Sequence, residues 1–193
     1  MAGHVTLLRA GSTLPAMRQI VLLRGINLAG RNRVSMPALR ELLTGDGLQD
    51  VRTYVQSGNV VLCSDSPPEV LARECERRIA SDLGMEVDVV VRTRDELAAV
   101  VERNPLGEVA VNPKRYQVSF LSSGLDADTV GRLAKLAVSS ERFVAIGREL
   151  YAWHPEGVAR SKLWAALAGR GLGVTATARN WSTVTTLLAM SSE

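Results

Sequence analysis

The chain has 193 residues, of which 46% are hydrophobic and 22% charged, with a formal net charge of +3. This is an ordinary soluble globular composition, long enough to bury a core as one domain or as two half-domains. Its apolar runs are too short to span a bilayer, and residues 1–16 lack the basic start and long apolar stretch of an export signal. Cys63 and Cys75 are too far apart for a CxxC pair, and only His4 and His154 could join them, so the sequence predicts neither a metal site nor a cofactor. Two thiols without an export signal point to the cytoplasm. The small net charge conceals a pattern: the first 40 residues hold six Arg and no carboxylate, the middle of the chain is acidic, and residues 157–193 are basic again.

Residues 1–16 read as an extension outside the fold, with Met17 just before the first strand. A strand is predicted over 20–23 and ends at Arg24 and Gly25. A loop with Asn27, Gly30, Arg31, Asn32 and Arg33 follows, then a helix capped by Ser35 with Pro37 in its first turn. Residues 51–56 and 59–63 form a hairpin about Ser57-Gly58, followed by a helix with Leu71, Cys75, Ile79 and Leu83 on one face, stopped by Gly84. A strand over 87–91 and a helix opened by a Thr93–Glu96 capping box complete the unit. The order βαββαβ is that of a ferredoxin-like fold.

Residues 104–114, with two prolines and no periodicity, connect this half (17–103) to a second (115–190) in which the order returns. Strands are expected over 116–121, 142–146, 150–153 and 174–178, with helices over 126–138, around Leu163 to Leu167, and after Asn180. Gly84 and Gly171, and the caps Thr93 and Asn180 with the apolar residues after them, share an offset of 87, which indicates duplication. The expected fold is α+β: two tandem ferredoxin-like subdomains with antiparallel sheets, each followed by an extra helix.

A strand order of 4-1-3-2 brings Arg24, Gly25, Asn27, Gly30, Arg31, Asn32 and Arg33 beside Gln56, Ser57 and Asn59. In the second half the opposite edge collects Lys114 and Arg115, then Arg160, Ser161 and Lys162, then Arg179, Asn180 and Trp181. Glycine-exposed N–H groups beside guanidinium forks, and helix N-termini near Ser161 and Asn180, suit a phosphate or carboxylate. Gly25 and Gly30 have P-loop spacing, but Arg31 and Asn32 stand where Lys and Ser or Thr are needed, which excludes that device for nucleotide hydrolysis. Structural roles compete for several residues: Trp181 as a core lid, Tyr54, Tyr116 and Tyr151 as strand-face packing, Ser57 and Ser161 as turn and cap residues, and His154 as surface structure.

The blocks LLRGINLAGRNRVSMPALRELL, DVRTYVQSGNVV, GRELYAWHPEGVARSKL and ATARNWSTVTTL resemble, in order, those of the bacterial domain-of-unknown-function family 1697. The resemblance covers nearly all of residues 18–190. It implies two ferredoxin-like subdomains and no activity. The family usually has Lys where Arg31 and Arg33 stand, and often Gly at Ala159, so a phosphate role survives but one needing a titratable lysine does not.

The leading expectation is binding of an anionic, phosphorylated ligand, a nucleotide, sugar phosphate or nucleic-acid end, with no membrane partner. The alternatives are a metal-independent enzyme acting on such a ligand and a non-catalytic regulatory or protein-interaction module. RNA binding on the sheet ranks below these, because the central strands present no aromatic residue for stacking.

Overall fold

The first strand, β1 (Met17–Leu23), is buried from Gln19 onward on both of its faces. It reads as an unbroken apolar run, rather than an alternating one, because it has a helical layer on one side and the second half of the molecule on the other. The computed structural model describes residues 16–27, 33–168 and 171–193. The expected extension up to residue 15, and Gly30, Arg31 and Asn32 of the first loop, lie outside the described residues.

After β1 come α1 (Met36–Leu42), β2 (Gln49–Tyr54), β3 (Asn59–Ser64), α2 (Pro68–Leu83), β4 (Val89–Thr93) and α3 (Arg94–Arg103). The second half runs β5 (Tyr116–Leu121), α4 (Ala127–Ala134), β6 (Arg142–Ile146), β7 (Glu149–Trp153), α5 (Lys162–Ala168), β8 (Ala176–Asn180) and α6 (Trp181–Ser191). The two four-stranded sheets have the orders β2-β3-β1-β4 and β6-β7-β5-β8, antiparallel throughout. These are two tandem ferredoxin-like subdomains, each followed by a further helix. Among the described residues no helix is long and apolar enough to cross a membrane.

The caps act as their residue types dictate. Ser35 Oγ accepts from Ala38 N, Thr93 and Glu96 form a complete capping box, and the Asn180 side chain accepts from Thr183 N. Gly84 ends α2 in the left-handed region at φ 62°.

Several boundaries differ from the sequence expectation: β2 lies two residues earlier than 51–56 and β4 two residues later than 87–91, and three others differ for reasons of pairing or helix length. β1 starts at Met17, because Arg18 and Gln19 pair with β3 although they are polar. The last strand is Ala176–Asn180, two residues later than its apolar pattern suggested, because its register follows β5 from Leu121↔Ala176 to Gln117↔Asn180. α4 stops at Ala134 instead of continuing to residue 138.

Each sheet packs its outer face on its own pair of helices, with Val21, Leu23, Val60 and Leu62 in one core and Leu121, Leu150, Leu163 and Leu167 in another. The third core is the seam. Ile20, Leu22, Val61 and Val90 of the first sheet meet Val118, Phe120, Tyr151 and Trp153 of the second, with Leu97 and Val100 of α3 and Val184 and Leu187 of α6 in the same cluster. The helix after each ferredoxin-like unit thus helps fill this shared core. The relative position of the halves is therefore set by apolar packing, which resists hinge opening.

Candidate functional site

Position 92 in β4 and position 179 in β8 extend the 87-residue repeat, and both are arginines whose side chains cross the seam. Arg92, 1% exposed, donates from Nε to Glu149 Oε1 at 2.9 Å, from Nη1 to the Val91 carbonyl, and from Nη2 to the carbonyls of Leu121 and Arg148. Arg179, 9% exposed, repeats the pattern: Nε to Asn59 Oδ1, Nη1 to the Ala178 carbonyl and Thr177 Oγ1, and Nη2 to the carbonyls of Leu23, Ser57 and Gly58. Each guanidinium thus ties the exit of the other half's first strand to the turn of its central hairpin. A planar fork with five donors can hold such a set of acceptors, where an ammonium could not.

The two latches differ in charge. Arg92 meets a carboxylate and Arg179 a neutral amide. Burial lowers both pKa values; at Arg92 Glu149 opposes the effect, whereas Arg179 is brought down to about 10, still charged at neutral pH. Among the described residues, one buried positive charge is therefore left without a carboxylate among its hydrogen-bond partners. The close approach at this latch also requires Gly58. At φ +69° its backbone is left-handed, and a Cβ there would lie 2.7 Å from Leu23 Cβ.

Arg179 forms part of the wall of a cleft of about 350 Å³ between the halves. The first half contributes Arg24, Gly25 and Ser57, the second Gln117, Asn180 and Thr183, and α5 contributes Trp164. Arg24 spans the mouth, with Nη1 on Asp88 Oδ2 and Nη2 on the Ala168 carbonyl, both at 3.2 Å. The N-terminus of α6, at Asn180, adds its positive end. Among the described lining residues are two guanidinium groups and no carboxylate.

The cleft thus gathers Arg24, Gly25, Ser57, Arg179 and Asn180 from the residues singled out in the sequence. Others lie elsewhere or have structural work. Asn27, at φ 53°, closes the base of its loop: Nδ2 donates to the carbonyls of Val34 and Gln56, and Oδ1 accepts from Val34 N. Asn59 is fully buried, its amide donating to the Tyr54 carbonyl and Ser57 Oγ. The Trp181 ring stacks on Tyr116 with centroids 4.8 Å apart, in the seam core. Arg33 and Gln56 border a shallow surface hollow.

Arg160 and Ser161 line a separate cavity that also holds Glu141 and Glu156, and Lys162 is exposed. The N-terminus of α5 therefore lies beside carboxylates rather than in a second basic cluster. Sequence reasoning missed Trp164, Gln117 and Thr183. Only their adjacency to residues already chosen could have found them, since their spacing is that of ordinary core and cap residues.

His154 is also not surface structure. It is 0% exposed, with Nδ1 2.7 Å from Glu141 Oε1, and its ring meets Trp164 edge-on at 83°. Burial would raise the Glu141 pKa, but hydrogen bonds from Ser161, His154 and the Val138 N–H hold it below the usual carboxylate value of 4.5. A lowered carboxylate contributes stability above its unfolded value that is lost as pH falls through its folded value. Glu141→Gln should therefore cost stability at pH 7, and the gap from wild type should narrow below about pH 4.5. Thermal unfolding across pH checks this, and a gap independent of pH would contradict it. Cys75 is not a reactive thiol, since burial pushes its pKa up to about 12.

The chain resembles the structure of conserved bacterial protein SP0830 from Streptococcus pneumoniae, with a TM-score of 0.73 and 24% sequence identity over 91% of this chain and 99% of that one. At that identity the likeness shows the fold. No curated protein matches the chain. The model of a family described as "Protein of unknown function (DUF1697)" matches residues 17–151, which include β1 to β6 and the start of β7. The chain belongs to the DUF1697 family.

Proposed function

We propose that this protein binds a small anionic, phosphorylated ligand in the cleft between its halves. The observation that carries this reading is the buried guanidinium of Arg179, whose counterpart Arg92 is matched by Glu149 while its own partner is the neutral Asn59. A positive charge held in a low-dielectric wall attracts an anion more strongly than the same charge in water. The start of α6 and the absence of a carboxylate among the described lining residues add to the same field.

The test cancels the charge while keeping the guanidinium in place. Asn59→Asp puts a carboxylate against Arg179 Nε. Wild type should show a rise in unfolding midpoint with AMP, ribose 5-phosphate or inorganic phosphate that persists at moderate salt. At about a hundred times the dissociation constant the gain is roughly 2.7 kcal/mol, or about 5–10 °C for a chain of this size. Asn59→Asp, checked to fold by circular dichroism, should lose most of it. Equal shifts in both proteins that vanish with salt would reduce the cleft to a generic basic surface.

A further inference from the structure

The lining of the cleft mixes two chemistries. Arg24, Ser57, Gln117 and Asn180 are polar or charged, whereas α5 contributes the half-buried indole of Trp164 with Leu167 and Ala168. A purely ionic ligand has no use for the indole. Inorganic phosphate or a sugar phosphate would satisfy the charge and leave the indole uncovered.

The indole is also braced. His154, completely buried and paired with Glu141, meets the Trp164 ring edge-on with centroids 5.9 Å apart, and Ser161 Oγ caps the start of α5 by accepting from Trp164 N at 2.9 Å. A ring packed edge-on against a buried neighbour, on a capped helix, loses little freedom when another ring packs against it. The volume of about 350 Å³ lies at the small end of ligand sites, the size of one nucleotide rather than two.

We infer that the ligand is a free nucleoside 5′-monophosphate, its base packed against Trp164 and its phosphate in the field of Arg179 at the start of α6. This rests on the anion-binding reading above and names the class of ligand for the same site. Trp164 is the residue that sets specificity.

The experiment is a calorimetric titration of the full chain with AMP, ribose 5-phosphate, inorganic phosphate and a 5′-phosphorylated AA dinucleotide, repeated on Trp164→Ala and Trp164→Phe. AMP should bind roughly ten- to hundredfold more tightly than ribose 5-phosphate, the range expected for one stacked base. Trp164→Ala should remove that advantage and leave ribose 5-phosphate binding unchanged, while Trp164→Phe should keep most of it. The wild-type ligand series decides the matter even if Trp164→Ala folds poorly. Equal binding of AMP and ribose 5-phosphate overturns the base contact and leaves the anion site standing. A dinucleotide more than about tenfold tighter than AMP would overturn the assignment to a free mononucleotide. Binding of none of these probes overturns this inference and the anion reading together.

Discussion

Glu149→Ala should destabilise the protein by roughly 3–5 kcal/mol, because it strands the guanidinium of Arg92 in the seam with its charge and its Nε donor unmatched. For a chain of this length that is about 6–20 °C in unfolding midpoint. Arg92 and Glu149 are 1% and 7% exposed, so water cannot replace the lost partner without opening the interface. Two companion variants separate charge from packing. Glu149→Gln retains an acceptor for Nε and imitates the Asn59 side of the repeat, so it should cost less. The double variant Arg92→Met with Glu149→Met removes both charges and should recover much of the loss, as buried ion pairs replaced by apolar residues often do. Chemical denaturation of the four proteins is the measurement. A Glu149→Ala loss below about 1 kcal/mol, the range of a surface pair, would show that the latch does not hold the halves together.

Phe120→Ala is expected to be as damaging, at roughly 3–5 kcal/mol. Phe120 is fully buried on the inner face of β5, in the cluster where the two sheets and α3 and α6 converge. Its ring also lies under Arg92, with the guanidinium carbon 5.8 Å from the centroid. Truncation therefore opens a cavity in the shared core and removes the surface on which the guanidinium rests. Because Phe120 is the cross-strand partner of Glu149 and both contact Arg92, their effects should not add: a cycle of Phe120→Ala and Glu149→Ala should show a coupling of roughly 0.5–3 kcal/mol. An additive cycle would place the ring and the ion pair in independent parts of the interface.

Both predictions depend on the seam, where reading of the chain reached its limit. The order of elements was legible because each rests on local chemistry. Gly84 stops a helix, Thr93 and Glu96 cap the next, and Val60 to Leu62 form a strand whatever lies far away. The tandem arrangement was legible for the same reason, since an 87-residue repeat of caps and apolar faces needs no knowledge of packing. Ferredoxin-like topology then placed Arg24 beside Ser57, because strand order alone decides which loop ends become neighbours.

What lay beyond the chain's local chemistry was how the halves meet. Arg179 reads in sequence as another basic residue at a loop edge, and only the tertiary structure turns it inward onto the carbonyls of Leu23, Ser57 and Gly58. Arg92, in an apolar strand, drew no attention until Glu149, 57 positions away, lay 2.9 Å from it. His154 and Glu141 pair through a fold that buries both, and Arg160 with Lys162 falls away from the cleft because α5 presents its side, with Trp164, rather than its start. Capping, turns and strand periodicity act over a few residues and so are written in the chain. Desolvation, and the pairing of charges that it makes necessary, arises only when distant surfaces close on each other, and that closing was decided by the packing of the two sheets with α3 and α6.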